Sequence, residues 1–200
     1  MVSISAHSAR YILVVGLLLA IVAPVLASQN GQRQTDRDTP VHVRDIQLVD
    51  QNGTGFSLSE FDDQPVMVNF VFTGCRTYCP VQNGTLMMLY DELVEREPKR
   101  DFKFISITLT PAFDGPREMK AYSERFSEGR DNWIFASGHP DHVQNILEQI
   151  ELDVFVGERP QLDIFHETDV FVFQPFTDAA ERFEGIPLDH DGLLQSMTEK

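Results

Sequence analysis

The fold class this sequence predicts is an α/β domain with helices on both faces of a mixed sheet, and three observations carry it. Two runs of strand length, "PVMVNFVF" (65–72) and "FKFISITL" (102–109), read as buried strands, the first because it is almost continuously apolar without alternation, as strands buried on both faces are. Segments with apolar residues at helical spacing follow them. An opening stretch, "VRDIQLVDQNGTGFSL", places alternating apolar residues on either side of "DQNGTG", the pattern of a β-hairpin. Strands that alternate with helices after a hairpin specify helix, sheet and helix layers.

Each element follows in order. "SLSEFDDQ" (57–64) reads as a short helical turn or loop. After the first buried strand, Val81, Leu86, Met87, Leu89, Tyr90, Leu93 and Val94 predict a helix from Pro80 to about Glu97. "FKFISITL" is the next strand. "DGPREMKAYSERF" (114–126) predicts a helix with Pro116 early and Asp114 as its N-cap. "NWIFASG" (132–138) is a short strand and "HPDHVQNILEQIEL" (139–152) a further helix. "HETDVFVFQP" (166–175) reads as a strand, "FTDAAERFEG" (176–185) turns and continues, and a helix over 189–198 closes the chain.

The first 40 residues differ from the rest. Tyr11 to Ala27 is almost wholly apolar, follows one positive charge at Arg10, and ends in Val25-Leu26-Ala27, the layout of a secretory signal cut before Ser28. Seventeen residues are at the short limit for a membrane span, so an uncleaved anchor is the alternative. Either way the remainder is exported, with membrane proximity if residues 11–27 stay. Residues 28–40 are polar and aperiodic and read as a flexible leader. The stretch 41–200 suits one domain, and the chain's 15 Phe residues, with many Val, Leu and Ile, can form its core.

The chain has 16 basic and 31 acidic residues; without Arg10 the net charge is −16. Such a surface repels phosphate backbones, so nucleic acid is not an expected partner.

The only two cysteines, Cys75 and Cys79, stand in "GCRTYCPV", where the first buried strand turns into a helix. Proline is comfortable as a first helical residue and disfavours helix in the residue before it, which predicts Cys79 as N-cap and Pro80 as first helical residue. Both sulfurs then lie near the positive end of the helix dipole, which favours thiolate. A purely structural disulfide would close so short a loop that it contributes only about 2 kcal/mol in the chain-entropy model. That leaves a redox couple or two ligands of a metal. A third ligand would come from His42, His139, His142, His166 or His190; His7 lies in the presumed signal. His166, at the beginning of the apolar strand "DVFVF", is placed to lie beside the cysteine turn, although position alone equally fits an ordinary loop-edge histidine.

"PVMVNFVFTGCRTYCP" resembles the Sco/SenC family, in which a strand, a T-x-C turn and C-x-x-x-C-P follow one another. "FISITLTPAFDGPREMKAYSERF" is similar to that family's next strand, P-x-x-D-x-P turn and helix, and "IFHETDVFVFQP" to its histidine-bearing strand. The likeness runs from about Asp45 to Asp189. It implies a thioredoxin-like fold, with the periplasm as the expected compartment, that binds copper, as Cu(I) or Cu(II), through Cys75, Cys79 and His166. It implies a metallochaperone rather than an enzyme, aiding assembly of the CuA centre of a respiratory oxidase. The expected partners are a copper-receiving client such as an oxidase subunit and a thiol–disulfide reductant. The rival is an exported thiol–disulfide reductase or peroxidase using Cys75 and Cys79 as a redox-active disulfide without metal. Where the family commonly has Pro-Asp between the cysteines this chain has Arg76-Thr77, and where it has Asp before the histidine this chain has Phe165. Asp163 or Glu167 is then left to orient the imidazole.

Overall fold

Seven strands build one mixed sheet in a computed structural model that describes residues 42–159, 163–177 and 179–199. The presumed signal and leader lie outside the described residues. Among those residues, no helix is long and apolar enough to cross a membrane.

A 3-10 turn (His42–Asp45) leads to the two short strands β1 (Leu48–Val49) and β2 (Gly55–Phe56), the predicted hairpin. The Asp50 side chain accepts the N–H groups of Asn52 and Thr54, each at 2.8 Å, and Gly53 takes a positive φ of 87°, so the turn closes with local bonds. After a second 3-10 turn (Leu58–Phe61) come β3 (Val66–Val71), α1 (Tyr78–Arg96), β4 (Lys103–Thr108), α2 (Pro116–Ser123), β5 (Trp133–Gly138) and α3 (Pro140–Gln149). A separate two-stranded hairpin follows, β6 (Val154–Val156) and β7 (Ile164–His166). β8 (Val170–Phe173), β9 (Ala180–Phe183) and α4 (His190–Thr198) complete the domain.

The strand order is β2-β1-β5-β4-β3-β8-β9. β3, β4 and β5 are parallel, whereas β8 runs antiparallel to β3 and β1 antiparallel to β5. Alternation within each strand assigns two cores. Met67, Val71, Phe104, Trp133, Phe135, Val170 and Val172 pack with α1, α2 and α4. Val68, Phe70, Ile105, Ile107, Ala136 and Phe171 pack with α3 and the opening hairpin. Both faces of β3 are therefore covered, which is why its sequence lacks alternation.

Three expectations need correction. Tyr78 and not Pro80 is the first residue of α1, with Thr77 at the N-cap. Gly115 and not Asp114 is the N-cap of α2; Asp114 turns inward instead. His166 does not open the apolar strand but ends β7, because its backbone pairs with Val154 of β6 before the chain turns into β8.

Candidate metal and thiol centre

The site forms where β3, at the middle of the sheet, gives way to α1. The chain leaves β3 through Phe72, Thr73 and Gly74, and the Cys75 N–H donates to the Phe72 carbonyl at 3.1 Å. Thr73 is fixed from the next crossover. Its N–H and hydroxyl donate to the Asp114 carboxyl group at 2.9 and 2.5 Å. The same carboxyl group accepts the hydroxyls of Thr108 at 2.8 Å and Thr110 at 2.7 Å. Asp114 is buried, and four donors satisfy its oxygens, as a buried polar group requires. It ties the end of β4 and the start of α2 to the residue two positions before Cys75.

Both cysteines are free and buried. Thr77 makes no side-chain capping bond; the sulfur of Cys75 takes that place, accepting the Cys79 N–H at 3.3 Å. The Cys79 thiol, together with the N–H groups of Cys79, Thr77 and Tyr78, holds the Cys75 thiol down to about 5 in spite of burial. Cys79 moves the other way. Its thiol is the donor to Cys75, it is buried, and it faces the Cys75 charge, so its ionisation is pushed far up. At neutral pH the pair holds one proton and one negative charge.

Across from the cysteines stands the β6–β7 hairpin. Ile164 of β7 packs with Phe72, Cys75 and Cys79 in a small apolar cluster. His166, two residues on and so on the same face of the strand, meets the Phe72 ring edge-on at a centroid distance of 6.4 Å. A pocket of about 410 Å³ is lined by Cys75, Arg76 and Tyr78 on one side and by Asp163, Ile164 and His166 on the other. Among the described residues, no three His, Cys, Asp or Glu side chains are gathered tightly enough to enclose a metal ion. Cys75 and His166 thus share one pocket, with the imidazole standing across it from the sulfurs.

His166 is oriented by main chain. Its Nδ1–H donates to the Glu167 carbonyl at 2.6 Å, since a carbonyl only accepts. Burial lowers its pKa, partly offset by that bond and by the nearby Cys75 and Asp169 charges. The neutral ring therefore keeps the Nε2 lone pair free. Neither carboxylate considered for this role contacts the ring: Asp163 pairs with Arg159 at 2.7 Å, and the Glu167 carboxylate with Arg182 at 2.6 Å. Arg182 Nε also donates to the buried Asp169 at 2.5 Å, anchoring the loop after His166 to β9. His139 caps α3, His142 bonds the Gln47 carbonyl at 2.9 Å and His190 begins α4; none of them lines the cysteine pocket. The His42 side chain lies outside the described residues.

The SCO1/SenC family model matches residues 34–197. The chain belongs to the SCO1/SenC family. Among its relatives, the SCO1 protein homolog of Bacillus subtilis is 23% identical over 175 residues, covering 86% of this chain and 88% of that one. This SCO1/SenC protein is also similar to BsSco, described as a Sco-family cytochrome c oxidase assembly protein with a disulfide switch. The TM-score is 0.66 at 21% identity, over 82% of this chain and 98% of that one. Copper-bound ScoI of Arabidopsis thaliana gives a TM-score of 0.66 at 16% identity, over 76% and 95%. The fold is the thioredoxin-like fold of the Sco structures, a mixed sheet between helices.

Asn69, Gln82 and Arg182 do not stand out in the sequence, and Asp114 does so only as a helix cap. Asn69 carried a usable signal, a lone amide inside an apolar strand that must find partners. The pairing of Arg182 with Asp169 carried none.

Proposed function

We propose that this protein is an exported copper carrier that binds copper through Cys75, Cys79 and His166 and serves the assembly of a respiratory oxidase copper centre. The observation that carries the reading is geometric: Cys75, packed with Cys79 and accepting its N–H at 3.3 Å, lines one pocket with the His166 imidazole. Two sulfurs and one imidazole are a donor set that suits copper, and two thiolates alone suit Cu(I). The family supports the reading, as does the copper bound by the Arabidopsis relative. Because the imidazole stands across the pocket, binding includes a closing of His166 toward the sulfurs.

The residues have distinct parts. Cys75 offers a thiolate at neutral pH. Cys79 gives up its proton when a metal takes the place of the hydrogen bond. Asp114 holds the turn and Ile164 shields the sulfurs from water. The same geometry favours thiol exchange as a second reading, because a low-lying thiolate beside a buried thiol is what a reductant needs. In that role the Cys75 thiolate attacks the disulfide of a client and displaces one client sulfur; Cys79 then attacks Cys75 in the mixed disulfide, leaving a Cys75–Cys79 disulfide while two electrons and the Cys79 proton pass to the client's sulfurs.

Export rests on residues 11–27 and on domain limits of 1–27, 28–40 and 41–200; the mature chain then begins near Ser28. Metal content tests the main reading. The reduced wild-type protein is expected to hold one Cu(I), and Cys75→Ser or Cys79→Ser to lose most of it. Equal copper in the double variant overturns the proposal.

A further inference from the structure

Asn69 is fully buried in the middle of β3, and its amide organises a run of buried hydrogen bonds. Its oxygen accepts from the Ser106 hydroxyl at 2.7 Å, which in turn accepts the Trp133 indole N–H at 2.9 Å. Its nitrogen donates to Asn83 Oδ1 and to Gln82 Oε1, each at 3.1 Å. Gln82 then donates from Nε2 to the main-chain carbonyl of Thr168 at 2.7 Å. The run starts in the core of the sheet and ends in the loop that follows His166.

Gln82 lies one turn past Cys79 on α1, on the same buried face, and is 2% exposed. Its amide has one workable orientation. The oxygen faces an N–H of Asn69, so the nitrogen faces Thr168. Thr168 sits between Glu167, whose carbonyl takes the His166 Nδ1–H, and Asp169, which Arg182 holds from β9. Loop residues 166–169 are thus gripped from the cysteine helix and from the far edge of the sheet.

We propose that Gln82 is a positioning residue for His166, setting the imidazole's aim toward the sulfurs through the Thr168 carbonyl. An apolar side chain would fill the same space without the cost of burying an amide; what the amide adds is a donor for a carbonyl two residues from the histidine. Groups that orient a ligand in this way are worth about 10–100-fold in metal affinity. The inference rests on the copper reading above, and its test has a part that needs no metal.

The experiment compares wild type with Gln82→Met, which keeps length and loses the donor, and Gln82→Glu, which sets a carboxylate against the Thr168 carbonyl. In the metal-free protein, the imidazole Nδ1–H resonance of His166 is expected to be sharp in wild type and broadened or lost in both variants. With metal, Cu(II) affinity is expected to fall about tenfold, with a weaker nitrogen signature in the Cu(II) spectrum, while one Cu(I) is still bound. In a His166→Ala background the Gln82→Met effect on Cu(II) is expected to vanish. An unchanged imidazole resonance in a folded variant overturns the inference. So does a Gln82→Met loss of the same size with and without His166, which would make the residue merely structural. If wild type takes up no copper, the copper reading fails, and the imidazole resonance still decides the role of Gln82.

Discussion

The backbone N–H of Cys79 donates to the sulfur of Cys75 across 3.3 Å, so one cysteine caps the helix that carries the other. A sulfur in that position looks along the positive end of α1, and the helix favours its negative form. The Cys79 thiol, donating to the same sulfur, adds the larger effect, and together they make the two thiols chemically unequal.

That inequality is measurable by thiolate absorbance in the reduced protein. The acid form of Cys75 gives way to thiolate as pH rises through about 5, so one thiolate is present at pH 7, against an ordinary cysteine value of about 8.5. Cys79→Ala removes the largest contribution and is expected to move the midpoint up by roughly one pH unit or more. Cys75→Ala is expected to leave Cys79 protonated throughout the neutral range. Two thiols ionising together near the ordinary value would contradict the capping geometry.

Asp114 is expected to be costly to remove. Asp114→Ala leaves the hydroxyls of Thr108 and Thr110 and both donors of Thr73 without their acceptor, a loss of about 2–4 kcal/mol. Chemical denaturation measures it. Thr110→Val removes one donor and is expected to cost about 1 kcal/mol. A smaller loss for Asp114→Ala than for Thr110→Val would show that the turn is held by other contacts.

The β6–β7 hairpin is expected to tolerate change on one face and not on the other. Phe155 and Phe165 are cross-strand partners, 68% and 69% exposed, whereas Ile164 is 8% exposed against the cysteines. Phe155→Ala and Phe165→Ala are expected to shift stability by no more than about 0.5 kcal/mol, and Ile164→Ala to cost about 2 kcal/mol. The reverse pattern in denaturation midpoints would mean that the hairpin presents its other face to the thiols.

Much of the architecture was legible because burial leaves a period in the sequence. The run 65–72 became β3 and 102–109 became β4, and the turn residues of 50–54 closed the opening hairpin as expected. What stayed hidden depends on contacts distant in the chain. Three-residue strands such as β6 and β7 are too short to show alternation, so His166 was assigned to the wrong strand. Asp114 before Gly115-Pro116 looks like a cap, and only the threonines at 73, 108 and 110 draw it inward. The cap of α1 was set one step further off still, by a sulfur from outside the helix, and pushed the helix start back to Tyr78. The two cysteines stand out by residue type and motif, and His166 as a third donor is implied by the family resemblance; neither reading needs knowledge of register.

The claim that three donors, and not two thiols alone, serve copper is tested most directly at His166. The measurement is a paired titration of wild type and His166→Ala with Cu(I) and with Cu(II), beside a thiol-exchange assay. The account predicts that Cu(II) affinity falls about tenfold or more, that Cu(I) affinity falls less because two thiolates satisfy it, and that exchange at Cys75 and Cys79 survives. Unchanged affinity for both copper states, with a slower exchange rate, would contradict the carrier reading and leave the thiol reductase as the better account.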